Sequence, residues 1–213
     1  IDPEVRVWYN PELKSRNFLI PGILAMLLMT MTTMLTSLAV VKEKELGTMD
    51  QLMVSPIKPY QLIIGKLTPF VIIGLIDTVL VLLGVTLWFG VPVRGSVLLL
   101  FGLTGLFLLT TLGLGLFVST VSKTQQQAMM TSMFFVMMPM NFLSGFIFPI
   151  ENMPKVIQAI TYIIPLRYFF VIIRGLFLRG VGMEALWPQA LALFVFGVGI
   201  LTLSILRFRR KLS

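Results

Sequence analysis

The sequence predicts an all-α fold, a polytopic helical bundle set in a membrane. Three observations lead there. The 213 residues are 57% hydrophobic and only 12% charged, whereas a soluble domain of this size carries about 25% charged residues. The apolar residues fall in blocks of about 20, the length that crosses a bilayer as a helix. The charges gather in the segments between the blocks.

The blocks can be taken in order. Residues 1–17 are polar and of mixed charge, and are read as the end of an extracytoplasmic region. The membrane domain, 18–213, starts with a block at 18–41. Its 24 residues would reach about 36 Å at 1.5 Å each, enough to span with some tilt, and Pro21 is placed in its first turn. A charged loop at 42–66 follows. The second span is expected at 67–89 and carries Asp77. A short turn leads to the third span, 97–118, and a polar loop to the fourth, 128–148. The fifth is expected at 187–206, before Arg207, Arg209, Arg210 and Lys211.

The stretch 149–186 fits no simple span. Its apolar pieces are short, Pro165 divides them, and Arg167 and Arg174 interrupt the second. It reads either as a re-entrant or interfacial helical hairpin or as one kinked span. Charge favours the hairpin. With five spans and the 42–66 loop inside, the inner segments hold nine Lys and Arg, while the outer ones beyond residue 17 hold five. A sixth span would move the basic tail outside, against the positive-inside rule. The same topology puts residue 1 outside and calls for a signal sequence or another span ahead of it.

Several function classes fall away. With no histidine and no cysteine, there is no Ser-His or Cys-His catalytic pair, no usual zinc site and no disulfide framework. No GxxxxGK[ST] sequence occurs, so the chain has no P-loop for ATP. The net charge of +8 belongs to topology and acidic lipid headgroups, and no soluble basic domain is present to bind nucleic acid.

The remaining candidates lie within the spans. Asp77 is the one acidic residue well inside a block. An ionised carboxylate there costs about 2.5–3.5 kcal/mol on insertion scales and needs a partner or a wet cavity. It is either a gating or substrate-contact residue, or a hydrogen-bonded contact to a Thr or to Asn141. Thr30, Thr33 and Ser37 form a hydroxyl stripe, with Thr32 and Thr36 beside it. Met130, Met133, Met137 and Met140 form a methionine stripe. Both stripes suit a permissive amphipathic pathway and equally suit ordinary packing. Gly102, Gly105, Gly113, Thr111, Gly115 and Ser119 give the third span the small-residue spacing of close helix contacts. A lone Asp77 would also serve an ion-coupled carrier, and a non-transporting scaffold or sensor is a third class. The absence of His, Cys and a second intramembrane aspartate argues against an intramembrane enzyme.

The 42–66 loop is the most informative segment. Thr48 and Gln51 make a capping-box pattern, so a helix is expected to start at Met49. Met49, Leu52 and Met53 would share one face. Ser55-Pro56 would stop the helix, and Pro59 would open the next. The product is a short amphipathic helix offering an apolar knob, or else a solvated loop.

The run KEKELGTMDQLMVSPI resembles the first cytoplasmic loop of type-2 ABC exporter permeases, the membrane subunits paired with separate ATPases. NFLSGFIFPIENMP and IPLRYFFVIIRGLFLRG are similar to that family's re-entrant helices after its fifth span. The amino end is similar to bacterial members with a large extracytoplasmic domain after the first span. The resemblance covers nearly the whole chain, and the five spans would be the family's second to sixth.

It implies a bacterial inner-membrane protein with a cytoplasmic carboxyl end, serving efflux of a hydrophobic or amphipathic cargo. Glu43, Glu45, Gly47, Thr48, Leu52, Ser55 and Pro56 would belong to the element that meets a cytosolic ABC ATPase, with Met49 and Met53 on its apolar face. The hairpin around Pro149, Asn152, Pro154, Pro165, Leu166 and Arg167 would close the outer end. ATP and Mg would sit in the ATPase, with no cofactor or metal on this chain. A second permease copy or paralogue, membrane lipid and a periplasmic adaptor are the other partners implied.

Overall fold

A computed structural model describes residues 15–47 and 59–210. Every regular element among the described residues is helical. α1 is Ser15–Glu45. α2 is Pro59–Leu83, continued by a π-helical turn Gly84–Trp88. α3 is Val97–Val121. α4 has three joined pieces, Gln125–Thr131, a π-helical Ser132–Met137 and Met138–Leu143. A single 3₁₀ turn, Ile150–Asn152, precedes α5, Lys155–Thr161. α6 is Pro165–Arg174 with a π-helical extension Gly175–Arg179. α7 is Met183–Arg210.

Local chemistry sets the boundaries. α1, α2, α3 and α7 run further than their apolar blocks at one end or both because flanking residues continue the helices. α1 therefore starts before residue 18, and Pro21 sits inside it rather than in its first turn. Pro69 and Pro188 are also internal, as bilayer helices tolerate when neighbours supply the missing contacts. Gly47, at φ +72°, ends α1 in the left-handed conformation that glycine adopts without cost, and its N–H donates to the Lys44 carbonyl at 3.2 Å. The expected loop 42–66 thus shortens, because Lys42 to Glu45 are helical and Pro59 opens α2 as its position predicts. Ser96 caps α3 by accepting from the Leu99 N–H at 3.4 Å. Thr124 caps α4 by accepting from the Gln127 N–H at 3.2 Å.

Contacts fix the direction of every helix. Glu45 meets Gln125 at one end of the bundle, the Glu43 end. A Cβ on Gly22 would strike Phe146 at the other, the Gly145 end. α4 therefore crosses the bundle antiparallel to α1. The matched pairs Thr32–Thr111, Thr110–Leu193 and Gly113–Ser204 advance together along the chain, so α1, α3 and α7 are parallel. Lys66 beside Glu43 and Gly74 beside Leu108 and Thr32 make α2 antiparallel to them. Among the described residues, four helices are each long and apolar enough to span: α1, α2, α3 and α7. α4, in its three joined pieces, runs along the bundle beside them from the Glu43 end to the Gly145 end. It ends at Leu143 rather than continuing to residue 148, because Ser144 to Phe148 form a turn around Gly145, at φ +84°.

The 149–186 stretch is a hairpin. α5 and the extended α6 are bent by 80°. Tyr168, near the start of α6, packs on Phe196 with ring centroids 5.9 Å apart, about 20 Å along α7 from its first residue. From there α6 runs back, so that the Leu176 carbonyl accepts from the Gly95 N–H at 2.9 Å and the Leu178 carbonyl from Arg94 at 3.3 Å. α4 ends and α7 begins at the same end of the bundle, so the chain between them must return to the side it left. Gly180, at φ +63°, closes α6 in the left-handed region.

α3 is the hub. It packs on α7 and α1, and also on α2 and α6. Half of its buried residues are Gly, Ser or Thr, which let backbones approach where lipid gives no hydrophobic drive for association. Aromatic stacking holds the hairpin in place. Phe107 of α3 lies on Phe169 of α6 at 3.9 Å between centroids, and Phe146 lies on Phe170 at 5.3 Å.

Candidate functional site

The Glu43 end gathers four helices. Glu43 pairs with Lys66 of α2, and Lys44 donates to the Ser119 carbonyl of α3. Glu45 Oε2 accepts from the Gln125 side chain at 2.8 Å and from its backbone N–H at 3.3 Å. Three consecutive residues of α1 therefore grip α2, α3 and α4 in turn. They are able to do so because consecutive helical side chains point about 100° apart. Gly47 then ends the helix. Thr48, Met49, Leu52, Met53, Ser55 and Pro56 lie outside the described residues. Lys44, Lys66 and Gln125 are partners that sequence reasoning missed, since nothing in their spacing announces a partner on another helix.

The hydroxyl stripe divides in space. Thr33 and Ser37 are fully buried, and Thr30 is half-buried. Thr33 donates to the Thr111 carbonyl at 3.3 Å, and Thr32 donates to Thr111 Oγ1 at 2.7 Å. Ser37 meets Ser132 at 3.3 Å and donates to the Met34 carbonyl at 2.9 Å. These hydroxyls tie α1 to α3 and α4. Outward, α1 presents a ridge of Leu19, Ile23, Leu27, Met31 and Leu35, all exposed.

The methionine stripe divides too. Met130 and Met133 are exposed, while Met137 and Met140 are buried. The π-helical Ser132–Met137 closes i→i+5 bonds, so its residues advance less per step than the 3.6 spacing on which the stripe was drawn. Asn141 is half-buried, and its Oδ1 has no hydrogen-bond partner among the described residues.

Asp77 lies on α2, facing α1. It lines an apolar groove of about 190 Å³ with Met31, Thr32, Leu35, Ile73 and Gly74. Its Oδ2 is buried with no hydrogen-bond partner among the described residues. Asp77 and Asn141 thus do not satisfy one another through these oxygens.

At the Gly145 end the predicted gate residues lie on the hairpin and on the turn that leads into it. Pro149 and Pro154 are exposed and immediately precede the 3₁₀ turn and α5, with Asn152 exposed between them. Pro165 is the first residue of α6, and Leu166 beside it is fully buried. Arg167 donates to Thr161 Oγ1 and lies over the Tyr162 ring, 4.0 Å from its centroid. A cavity of about 620 Å³ opens between this hairpin, the 144–151 turn and the start of α1. Among the described residues no group of three acidic, His or Cys side chains is placed to hold a metal ion.

The profile of the ABC-2 family transporter proteins matches residues 1–206. The chain is 40% identical, over all of its length, to the probable multidrug ABC transporter permease YbhS of Escherichia coli. It is 36% identical over 97% of its length to the probable multidrug ABC transporter permease YbhR, and 32% identical over 99% to the inner membrane transport permease YhhJ, both of the same species. The chain spans 56% of the length of each of these relatives.

Proposed function

The chain belongs to the ABC-2 transporter family, and on that premise we propose that it is the membrane-spanning permease part of an ATP-driven exporter, powered by a separate cytosolic ATPase. The observation that carries this reading is the grip at the Glu43 end. Glu43, Lys44 and Glu45 join α1 to three other helices immediately before the 48–58 segment. A push on that segment is delivered to four helices at once. Coupling of this kind needs an element that both the ATPase and the pathway bias, and a clamped helix end is suited to that.

On this reading the Glu43 end and the carboxyl end are cytoplasmic, in a bacterial inner membrane. The knob at Met49, Leu52 and Met53 contacts the ATPase, which holds the ATP and Mg. A second permease subunit, identical or paralogous, meets the exposed α1 ridge, and the pathway forms where the two join. Asp77, Met133, Thr30 and Asn141 are the pathway candidates outside the buried interior. Thr33 and Ser37 act from inside by fixing α1. The hairpin closes the outer end. A hydrophobic or amphipathic cargo suits walls of Met, Phe and Thr.

The test is purification of the full-length protein from its native membrane in mild detergent. A stoichiometric P-loop ATPase is expected to accompany it and to be lost when Met49 and Leu52 are both replaced by Asp. Repeated purification without an ATPase, under conditions that preserve other membrane complexes, would overturn the proposal.

A further inference from the structure

Asp77 is set close to the midpoint of the apolar stretch Ile64–Trp88, and its Oδ2 is buried with no hydrogen-bond partner among the described residues. The hydroxyls beside it are spent elsewhere. Thr32 lines the same groove, but its single proton is directed at the Leu28 carbonyl, 2.6 Å away, or at Thr111 Oγ1, 2.7 Å away. Thr78, next in the chain, donates to the Gly74 carbonyl at 2.7 Å. Charge is remote as well. α3 carries no charged residue. Lys66 is about 16 Å from Asp77 along α2 at 1.5 Å per residue, and it is paired with Glu43. Lys42 is about 15 Å from Thr32 along α1. The undescribed segments join these helices at their ends, before Ser15 and Pro59, each about 25 Å or more along the axis from the groove.

The groove has a shape of its own. Thr32 and Gly74 form its floor, where a Cβ on Gly74 would lie 3.2 Å from the Thr32 methyl. Its rim is Met31, Leu35, Ile73, Ile76 and Leu80, all exposed, so it opens through an apolar surface on the outside of the bundle. At about 190 Å³ it has room for one ring-sized group, since an apolar cavity of about 150 Å³ takes benzene.

A carboxyl group in such surroundings calls for donors or positive charge. An anion would be repelled. A hydrocarbon would fill the walls and leave Oδ2 bare. A hard metal ion takes about six or more oxygens and would find one carboxyl group. An organic ammonium brings both charge and N–H donors, and a hydrocarbon part lets it pass the rim.

We infer that the α1–α2 groove binds a lipophilic organic ammonium, its N–H donating to Asp77 and its hydrocarbon part lying against Met31, Ile73, Ile76 and Leu80. The inference rests on the permease reading only in making this ligand a cargo; the binding itself needs no ATPase.

The experiment places the full-length protein in phosphatidylcholine nanodiscs and titrates phenylbutylamine, phenylbutanol and phenylbutanoate, with empty nanodiscs as the blank for partitioning into lipid. The amine is expected to bind saturably at one site per chain, at least about fivefold tighter than the alcohol, the margin between a charge-assisted and a neutral hydrogen bond. The carboxylate is expected not to bind. Asp77→Asn keeps the shape and a neutral acceptor, and is expected to lower the affinity for the amine about fivefold while leaving the alcohol unchanged. Ile76→Trp fills the groove with Asp77 in place and is expected to weaken both ligands. Ile72→Trp makes the same change at an exposed position outside the lining and is expected to have no effect.

Equal affinity for amine and alcohol overturns the inference. So does amine binding that Asp77→Asn leaves unchanged. If Asp77→Asn fails to fold, the rim variants decide: amine binding untouched by Ile76→Trp, or lowered equally by Ile72→Trp, counts against the groove. Purification without an ATPase would overturn the permease reading and leave this binding test standing.

Discussion

Among the described glycines, Gly115 is the one whose Cβ would come closest to the backbone of another helix, and it gives the sharpest test of how α1 and α3 meet. A Cβ built there would lie 2.6 Å from the Thr33 carbonyl oxygen and 2.8 Å from the Thr36 Cβ. Ordinary contacts of this kind are about 3.4 Å or more, so the helices would have to separate by about 0.8 Å. The obstructing atom is backbone and cannot rotate aside. Overpacking of this kind costs about 1–3 kcal/mol. Replacing a helical glycine by alanine returns about 0.8–1.0 kcal/mol in propensity, so Gly115→Ala is expected to lose about 0–2 kcal/mol net. Separation would also stretch the 2.7 Å Thr32–Thr111 hydrogen bond. Gly102 and Gly105 lie on the same helix with nothing within 4 Å of a Cβ, so Gly102→Ala keeps only the propensity gain of about 1 kcal/mol. Gly113→Ala is expected to cost stability as well, because its Cβ would meet the Cγ2 methyl of Ile200 at 2.5 Å and the Leu201 backbone N at 3.3 Å, and a β-branched side chain is stiff about χ1. The assay is reversible unfolding of the purified protein in mixed detergent micelles. Gly115→Ala and Gly102→Ala are expected to differ by about 1–3 kcal/mol, a factor of about 5 to 150 in the equilibrium constant. Gly115→Ala as stable as Gly102→Ala would refute the packing argument.

Three further outcomes are expected. Asp77→Asn is expected to reduce transport in vesicles by less than about tenfold and to leave its pH dependence unchanged, since in the permease reading Asp77 is a wall residue of an apolar groove and carries no proton across. Loss of both transport and proton dependence would instead favour an ion-coupled carrier. Phe107→Ala removes the ring stacked on Phe169 and is expected to cost about 3 kcal/mol, read as faster proteolysis within the 144–182 hairpin while the spans stay protected. A double-mutant cycle on Ser37→Ala and Ser132→Ala is expected to show a coupling of about 0.6 kcal/mol, the average for such bonds in a bilayer, measured by the same unfolding assay.

Much of the bundle was legible because lipid imposes one strong rule. Helices must be long, apolar and internally hydrogen-bonded, so the blocks at 67–89 and 97–118 map closely onto α2 and α3. Helix ends were less legible. Glu43 and Glu45 look like loop charges until α1 carries them to Lys66 and Gln125. The two stripes show the same limit from opposite sides. A 3.6-residue spacing places Thr33 and Ser37 correctly on one face, and only the neighbouring helices show that this face points inward. For Met133 and Met137 the spacing itself changes within a π-helical segment, which composition does not encode. The small-residue spacing of α3 was visible in full, yet Gly102 and Gly115 are equivalent in sequence and opposite in surroundings. Arg167 and Arg174 were read as interruptions of a span, though their seven-residue spacing already put them on one face.

The central claim is that force from an ATPase enters through the clamped Glu43 end. The most direct measurement is ATP-driven transport by the reconstituted full-length complex carrying Glu43→Lys, Lys66→Glu or both, with ATPase docking quantified in the same preparations. Each single reversal is expected to leave the ATPase bound and ATP hydrolysis running while transport falls several-fold. The double reversal, which restores the pair, is expected to recover most of the transport. Wild-type transport by both single variants, or transport lost equally in the singles and the double, would contradict the account.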